Sequence, residues 1–163
     1  MTKLIATFFY VGLLRPAPGT WGSLAAIPAA WALHQAGGFV ALLLGTLVVF
    51  GWGWYATIVE TSASGEEDPS EIVIDEVAGM FIALWPVSYG AVMAGADFFA
   101  LWPGVLSAFL AFRLFDIWKP GPVGLADRRG DPLGVMLDDV IAGGMAAMVV
   151  AVLAVIAHLP GRI

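Results

Sequence analysis

Residues 39–59, FVALLLGTLVVFGWGWYATIV, carry no charge over a length sufficient to cross a bilayer, and this run constrains the rest of the chain. A spanning helix needs about 20 predominantly apolar residues. A charged side chain at the bilayer centre costs roughly 2.5–3.5 kcal/mol on insertion scales. The charges of this chain are segregated accordingly. Residues 113–144 hold five of the thirteen acids (Asp116, Asp127, Asp131, Asp138, Asp139) and four of the seven bases (Arg113, Lys119, Arg128, Arg129), between apolar flanks. Charges grouped in this way at the edge of apolar sequence mark a polar site at a membrane face.

The composition agrees. Of the 163 residues, 60% are hydrophobic and 12% charged, against about 25% charged in a typical soluble domain. The seven Trp suit the water–lipid boundary. A net charge of −6 argues against nucleic acid, which selects clustered Lys and Arg. Without Cys, disulfides and thiolate metal sites are excluded. The expected fold is all-α: one domain, 1–163, an integral membrane bundle of about four to five apolar helices with polar loops gathered on one face.

Residues 1–14 are too short to span and lack a small-x-small cleavage site, so they read as a retained interfacial or re-entrant piece. In RPAPGTWGS, residues 15–23, the Pro and Gly residues argue against regular helix. Ser23 is then the expected N-cap of a helix over 23–35. Gln35 to Gly38 forms a turn before the 39–59 span. An acidic loop, 60–76, precedes a helix over about 77–93 that Pro86 should kink. Asp97 falls in a turn. A fourth apolar segment, 98–117, leads to a polar loop, 118–137, and a final helix runs from about Met136 to Leu159.

With the N-terminus cytoplasmic and helices beginning near 23, 39, 77, 98 and 136, Lys3, Arg15, Arg113, Lys119, Arg128 and Arg129 share the cytoplasmic side. Only Arg162 lies opposite. The same threading gathers residues 15–23, 60–76 and 113–139 on one face, leaving Asp97 as the outlying acid.

Three acidic groups on that face, Asp75-Glu76, Asp116 and Asp138-Asp139, offer the carboxylate oxygens that Mg²⁺ prefers. Each pair also reads as a helix start, where the macrodipole favours negative charge. Arg113, Asp116 and Lys119 follow at i, i+3 and i+6. They form either a salt-bridged helix end or a phosphate clamp in which Asp116 binds metal. Pro120 should end the helix and leave the Lys119 ammonium free to reach the site. Around Thr20 and Ser23 a flexible backbone meets a helix start, which suits an anion. No base is positioned to make either hydroxyl a nucleophile. His34 and His158 fall at the far ends of their helices. Asp127-Arg128-Arg129 reads as a surface ion pair or lipid contact, with Arg128 as a substrate ligand; a juxtamembrane base gains about 1 kcal/mol from an anionic leaflet.

The segments PAPGTWGSLAAIP, IVIDEVAGM and FRLFDIWKPGPV…DRR…GVMLDDVIAG, in that order, resemble the phosphatidylglycerophosphatase A family over about residues 15–147. The resemblance implies a Mg²⁺-dependent membrane phosphatase that converts phosphatidylglycerophosphate to phosphatidylglycerol, seated in the bacterial cytoplasmic membrane with its site facing the cytoplasm. It maps acidic motif positions onto Asp75, Glu76, Asp116, Asp138 and Asp139, and basic ones onto Arg113, Lys119 and Arg128. The chain departs from the family at Gly130-Asp131-Pro132-Leu133 and at Glu67-Asp68-Pro69-Ser70, where members often carry His. Catalysis would then fall to Asp75, Asp116, Asp139 and Lys119, and substrate binding to Thr20, Ser23, Arg113 and Arg128. The rival readings are a small ion transporter, an alcohol phosphatidyltransferase and a purely structural subunit. The transferase lacks its DG…AR…G…D…D spacing here, and a transporter calls for acids at mid-helix.

Overall fold

The computed structural model describes residues 1–66 and 69–158. Expectations that fell on Glu67, Asp68, Leu159 and Arg162 lie outside those residues. The described chain is all-helical: α1 (Thr2–Ala6), α2 (Pro18–Ser64), α3 (Ile74–Ala83), α4 (Trp85–Ala94), α5 (Trp102–Trp118), α6 (Pro122–Asp127) and α7 (Pro132–Ala157), with 3₁₀ turns at Val11–Leu13 and Phe98–Leu101. Four helical segments are long and apolar enough to cross a membrane: Pro18–Ser64, Ile74–Ala94, Phe98–Trp118 and Pro132–Ala157. This is a multi-pass membrane protein.

The 47-residue α2 is not one rod. Gly37 and Gly38 leave helical geometry, and Gly38 takes φ 63°, a conformation that favours glycine. A Cβ built on Gly45 would sit 2.5 Å from Leu33 Cδ1. On a continuous helix those residues would be about 18 Å apart at 1.5 Å per residue, so the chain has doubled back. The arms, 18–36 and 39–64, form a helical hairpin.

The first arm begins earlier than the sequence suggested. Pro18 occupies the first turn with Ala17 as N-cap, a position where its missing N–H costs nothing. Ser23 is therefore not an N-cap. It sits inside the helix and donates to the Gly19 carbonyl at 2.8 Å.

α3 is the central helix; Ile74, Asp75 and every residue from Val77 to Ala83 are buried. Lipid tails are as apolar as Leu, so close packing rather than water exclusion holds such a helix in place. Small residues allow it. A Cβ on Gly79 would lie 2.5 Å from the Asp139 carbonyl oxygen, and one on Gly143 2.2 Å from that of Gly79. α3 and α7 thus meet backbone to backbone. On its other side α3 meets both arms of α2, where a Cβ on Gly22 would lie 2.8 Å from Val73 and one on Gly53 2.9 Å from Ile74.

Pro86 marks the expected discontinuity: α3 ends at Ala83 and α4 begins at Trp85. Asp97 lies in the predicted turn and accepts from the Phe99 amide at 2.8 Å. α1 and the turn after it do not cross the bundle; the Val73 amide donates to the Ala6 carbonyl at 2.9 Å, which ties the N-terminal segment to the start of α3. Two expectations fail. The loop over 118–137 contains α6, and α7 starts at Pro132. Asp138 and Asp139 consequently lie in the second turn of α7, beyond the turn in which a macrodipole is felt.

Candidate active site

Five segments converge on a pocket of about 360 Å³ at one end of the bundle: the start of α2, the 70–72 segment, the start of α3, the end of α5 with Lys119, and the second turn of α7. Its polar wall carries Asp75, Glu76, Arg113, Asp116, Lys119, Asp138 and Asp139, with Thr20 on the rim. The three acidic groups of the sequence do meet.

Within the wall the acids divide by partner. Asp75, Glu76 and Asp139 each offer a carboxylate oxygen, and the three oxygens lie within 4.8 Å of one another. Glu76 Oε2 and Asp139 Oδ1 are buried without a hydrogen-bond partner among the described residues. Removing charge from water costs several kcal/mol per ion unless it is compensated. Three converging carboxylates, two of which carry an unpartnered oxygen, therefore fit a hard divalent cation, and the chemistry of the donors fits Mg²⁺. The other two acids face bases. Asp116 accepts from Arg113 Nη1, and Asp138 accepts from Lys119 Nζ at 2.9 Å.

Arg113 also donates through Nη1 to Ser23 Oγ at 3.5 Å, while its Nε is buried without a partner among the described residues. Ser23 lies behind the guanidinium and off the pocket wall. Thr20 lines the pocket, beside the amino end of α2, whose orphan amides favour an anion. Lys119 caps α5 in the left-handed region at φ 49°. Its ammonium is not free: it donates to Asp127 as well as to Asp138. Burial works against its charge, but these two carboxylates outweigh burial and hold its pKa above the ordinary lysine value. Arg128 is exposed and does not line the pocket. Asp127 pairs with Lys119 rather than with its basic neighbours, and Arg129 pairs with Asp131 at 2.9 Å. The histidines are remote: His34 Nδ1 is 2.8 Å from Ser88 Oγ, and His158 Nδ1 is 2.7 Å from its own helix at the Ala154 carbonyl.

Glycines shape the site as much as the charged groups do. A Cβ on Gly19 would stand 2.2 Å from Glu76 Oε1 and 3.2 Å from Arg113 Nη1. Gly79 and Gly143 sit one turn beyond Asp75 and Asp139, so the backbone contact of α3 with α7 sets those two carboxylates side by side. A sequence signal for this pairing existed. Asp75-Glu-Val-Ala-Gly79 and Asp139-Val-Ile-Ala-Gly143 share the spacing Asp-x-x-Ala-Gly, which puts acid and glycine on one helical face. No comparable signal marks Gly19 or the Lys119–Asp127 pair.

A multi-pass helical bundle that gathers an acidic cluster able to hold a metal ion and two bases at one end defines a membrane-embedded protein with a polar site. More particularly, the chain belongs to the phosphatidylglycerophosphatase A family, whose profile matches residues 4–154. It is 37% identical to phosphatidylglycerophosphatase A of Haemophilus influenzae over 90% of this chain and 85% of that protein. Against phosphatidylglycerophosphatase A of Escherichia coli the identity is 33%, over 88% and 78%. A Bacteroides thetaiotaomicron relative with a provisional phosphatidylinositol-3-phosphatase name is 37% identical over 91% of both chains. No solved structure gives a significant match.

Proposed function

We infer that this protein is a phosphatidylglycerophosphatase that removes the terminal phosphate of a lipid phosphomonoester at the cytoplasmic face of a bacterial membrane. The observation that carries the reading is the junction, in one pocket, of the Asp75–Glu76–Asp139 carboxylates with Arg113 and Lys119. Family membership and the named relatives support the same substrate. In the reaction a water oxygen bonds to phosphorus, the P–O bond to the glycerol carbon's oxygen breaks, and a proton from water ends on the released hydroxyl.

Asp75, Glu76 and Asp139 are the residues to hold Mg²⁺. When bound, that ion supplies Lewis-acid polarisation of the phosphoryl group. Arg113, with its unpartnered Nε, and the amino end of α2 at Thr20 orient and neutralise the phosphoryl oxygens. Ser23 and Asp116 hold the guanidinium in place. Lys119 adds positive charge at the rim, steadied by Asp127 and Asp138. Arg128, being outside the pocket, reaches a phosphate only at the membrane surface. Positioning and charge neutralisation make up most of the catalysis of phosphoryl transfer, and the side chains of this wall are suited to both.

The test is release of inorganic phosphate from dioleoyl phosphatidylglycerophosphate by purified protein in detergent. Release in Mg²⁺, loss in excess chelator and recovery on adding Mg²⁺ back are expected. Folded protein that releases no phosphate in Mg²⁺ would overturn the reading.

A further inference from the structure

Helix contacts border the pocket on three sides. α3 and α7 meet backbone to backbone at Gly79 and Gly143, and the first arm of α2 meets the lead into α3 at Gly22 and Val73. Lys119 ties the end of α5 to α6 and α7 through Asp127 and Asp138. The fourth side lies between the start of α2 and the end of α5, where Arg113 and Ser23 bridge the helices and Thr20 and Ile117 line the pocket. These helices run antiparallel: Arg113 reaches Ser23 at the pocket end, and at the other end Phe99, just before α5, lies against Trp31 with ring centroids 5.9 Å apart.

Both helices carry an apolar stripe beside that seam. On α5, Leu106, Leu110, Leu114 and Ile117 recur at helical spacing and are 48%, 58%, 56% and 71% exposed. Ile117 belongs to the stripe and to the pocket wall at once. On α2, exposed Trp21 and Leu24 lie within one helical face of Trp31, the residue that meets Phe99. Exposed apolar side chains therefore run along both helices, and on α5 they reach Ile117, which lines the pocket.

We propose that the seam between residues 18–31 of α2 and residues 106–117 of α5 is the acyl-chain subsite, through which a diacyl phosphomonoester reaches the pocket sideways from the bilayer with Ile117 at its lip. The proposal rests on the phosphatase reading above. Its physical basis is geometric. Acyl chains gain little apolar burial on leaving a bilayer for an equally apolar groove, so the seam aligns the chains and thereby delivers the phosphate at a fixed depth. Filling it should disturb long chains and spare short ones. From Ile117 to Leu110 the helix rises about 10 Å at 1.5 Å per residue, farther than a six-carbon chain extends.

The experiment compares dioleoyl and dihexanoyl phosphatidylglycerophosphate as substrates for wild type, Leu110→Trp, Leu106→Trp and the lipid-facing control Val152→Trp on α7. The ratio of kcat/KM, long chain over short, is expected to fall at least about tenfold in both Leu variants, since angstrom-scale misplacement of a reacting group costs up to about a hundredfold. The control should keep the wild-type ratio. An unchanged ratio in the Leu variants, or an equal fall in the control, overturns the seam. For variants that do not fold, wild-type protein is photolabelled with a substrate analogue carrying a mid-chain diazirine. Adducts concentrated in residues 18–31 and 106–117 support the subsite, and adducts spread over all lipid-facing helices overturn it. Wild type that hydrolyses neither substrate would defeat the phosphatase reading itself, and the labelling pattern would still decide the seam.

Discussion

At the scale of single residues, the carboxylate triad stands out because its arrangement opposes stability. Asp75, Glu76 and Asp139 bring three carboxylates together in an apolar bundle, with unpartnered oxygens on two of them. Three carboxylates this close in a low-dielectric interior cannot all carry charge without strong mutual repulsion. Replacing one acid should therefore help the metal-free protein while destroying the site. Asp75→Asn and Asp139→Asn are each expected to lower phosphate release more than the roughly 10–100-fold typical of losing an outer-shell partner. In chelator their melting temperatures should equal or exceed that of wild type. The Mg²⁺-induced rise in melting temperature, a linkage effect of binding to the folded state, should vanish in both. Retained turnover together with a retained Mg²⁺ shift would remove these residues from the site. Gly19→Ala is a sharper probe, because its Cβ would stand 2.2 Å from Glu76 Oε1. We expect it to cut activity as deeply as loss of a ligand; wild-type kinetics in that variant would show that the Glu76 side chain can relocate.

At the scale of elements, the contact between α3 and α7 decides whether the triad exists. Gly79 and Gly143 place two helix backbones against each other, and a methyl group would meet backbone at Gly143 and both backbone and the buried Phe112 ring at Gly79. Gly79→Ala and Gly143→Ala should lower the melting temperature and abolish turnover together. Gly51→Ala provides the contrast, because nothing lies within 4 Å of its added Cβ. It should be neutral or stabilising by up to about 1 kcal/mol, from helix propensity alone. Equal melting temperatures for the Gly79 and Gly51 variants would show that the helix crossing is not close.

Element ends were the least legible feature of the sequence. Pro18 and Gly19 read as helix breakers, yet Pro is well suited to a first turn and Gly19 is needed for the approach of Glu76. Pro132 likewise opens α7 six residues before Asp138, so the helix-start explanation of Asp138-Asp139 falls away. The turn at Gly37-Gly38, the break at Pro86 and the stop at Lys119-Pro120 were all readable, since each rests on backbone geometry that Gly or Pro imposes locally.

At the scale of the whole molecule, the helices and their connections put Ala17, Ser70, Asp75, Lys119 and Asp138 around one pocket. At the opposite end a Cβ on Gly38 would lie 3.1 Å from Val92, and the His34 and Phe98 rings approach to 5.2 Å. The basic residues near the pocket end predict that this end faces the cytoplasm. A chain without Cys allows a direct check with single cysteines. In intact cells, Ala36→Cys and Ala94→Cys should react with a membrane-impermeant thiol reagent, and Leu125→Cys should be protected. The reverse pattern would place the pocket outside the cell.

The sequence by itself determined the membrane class, the helical content, the face on which charge collects and the identity of the acidic and basic groups. These follow from the cost of charge in hydrocarbon and from motifs contiguous along the chain. The tertiary structure alone decided how those groups are apportioned. Asp75, Glu76 and Asp139 converge, Asp116 and Asp138 are taken by Arg113 and Lys119, Ser23 withdraws behind Arg113, and Arg128 stays outside. The reason is that partner choice depends on how closely helices distant in sequence approach, and here that distance is set by glycines whose importance lies in what they leave out.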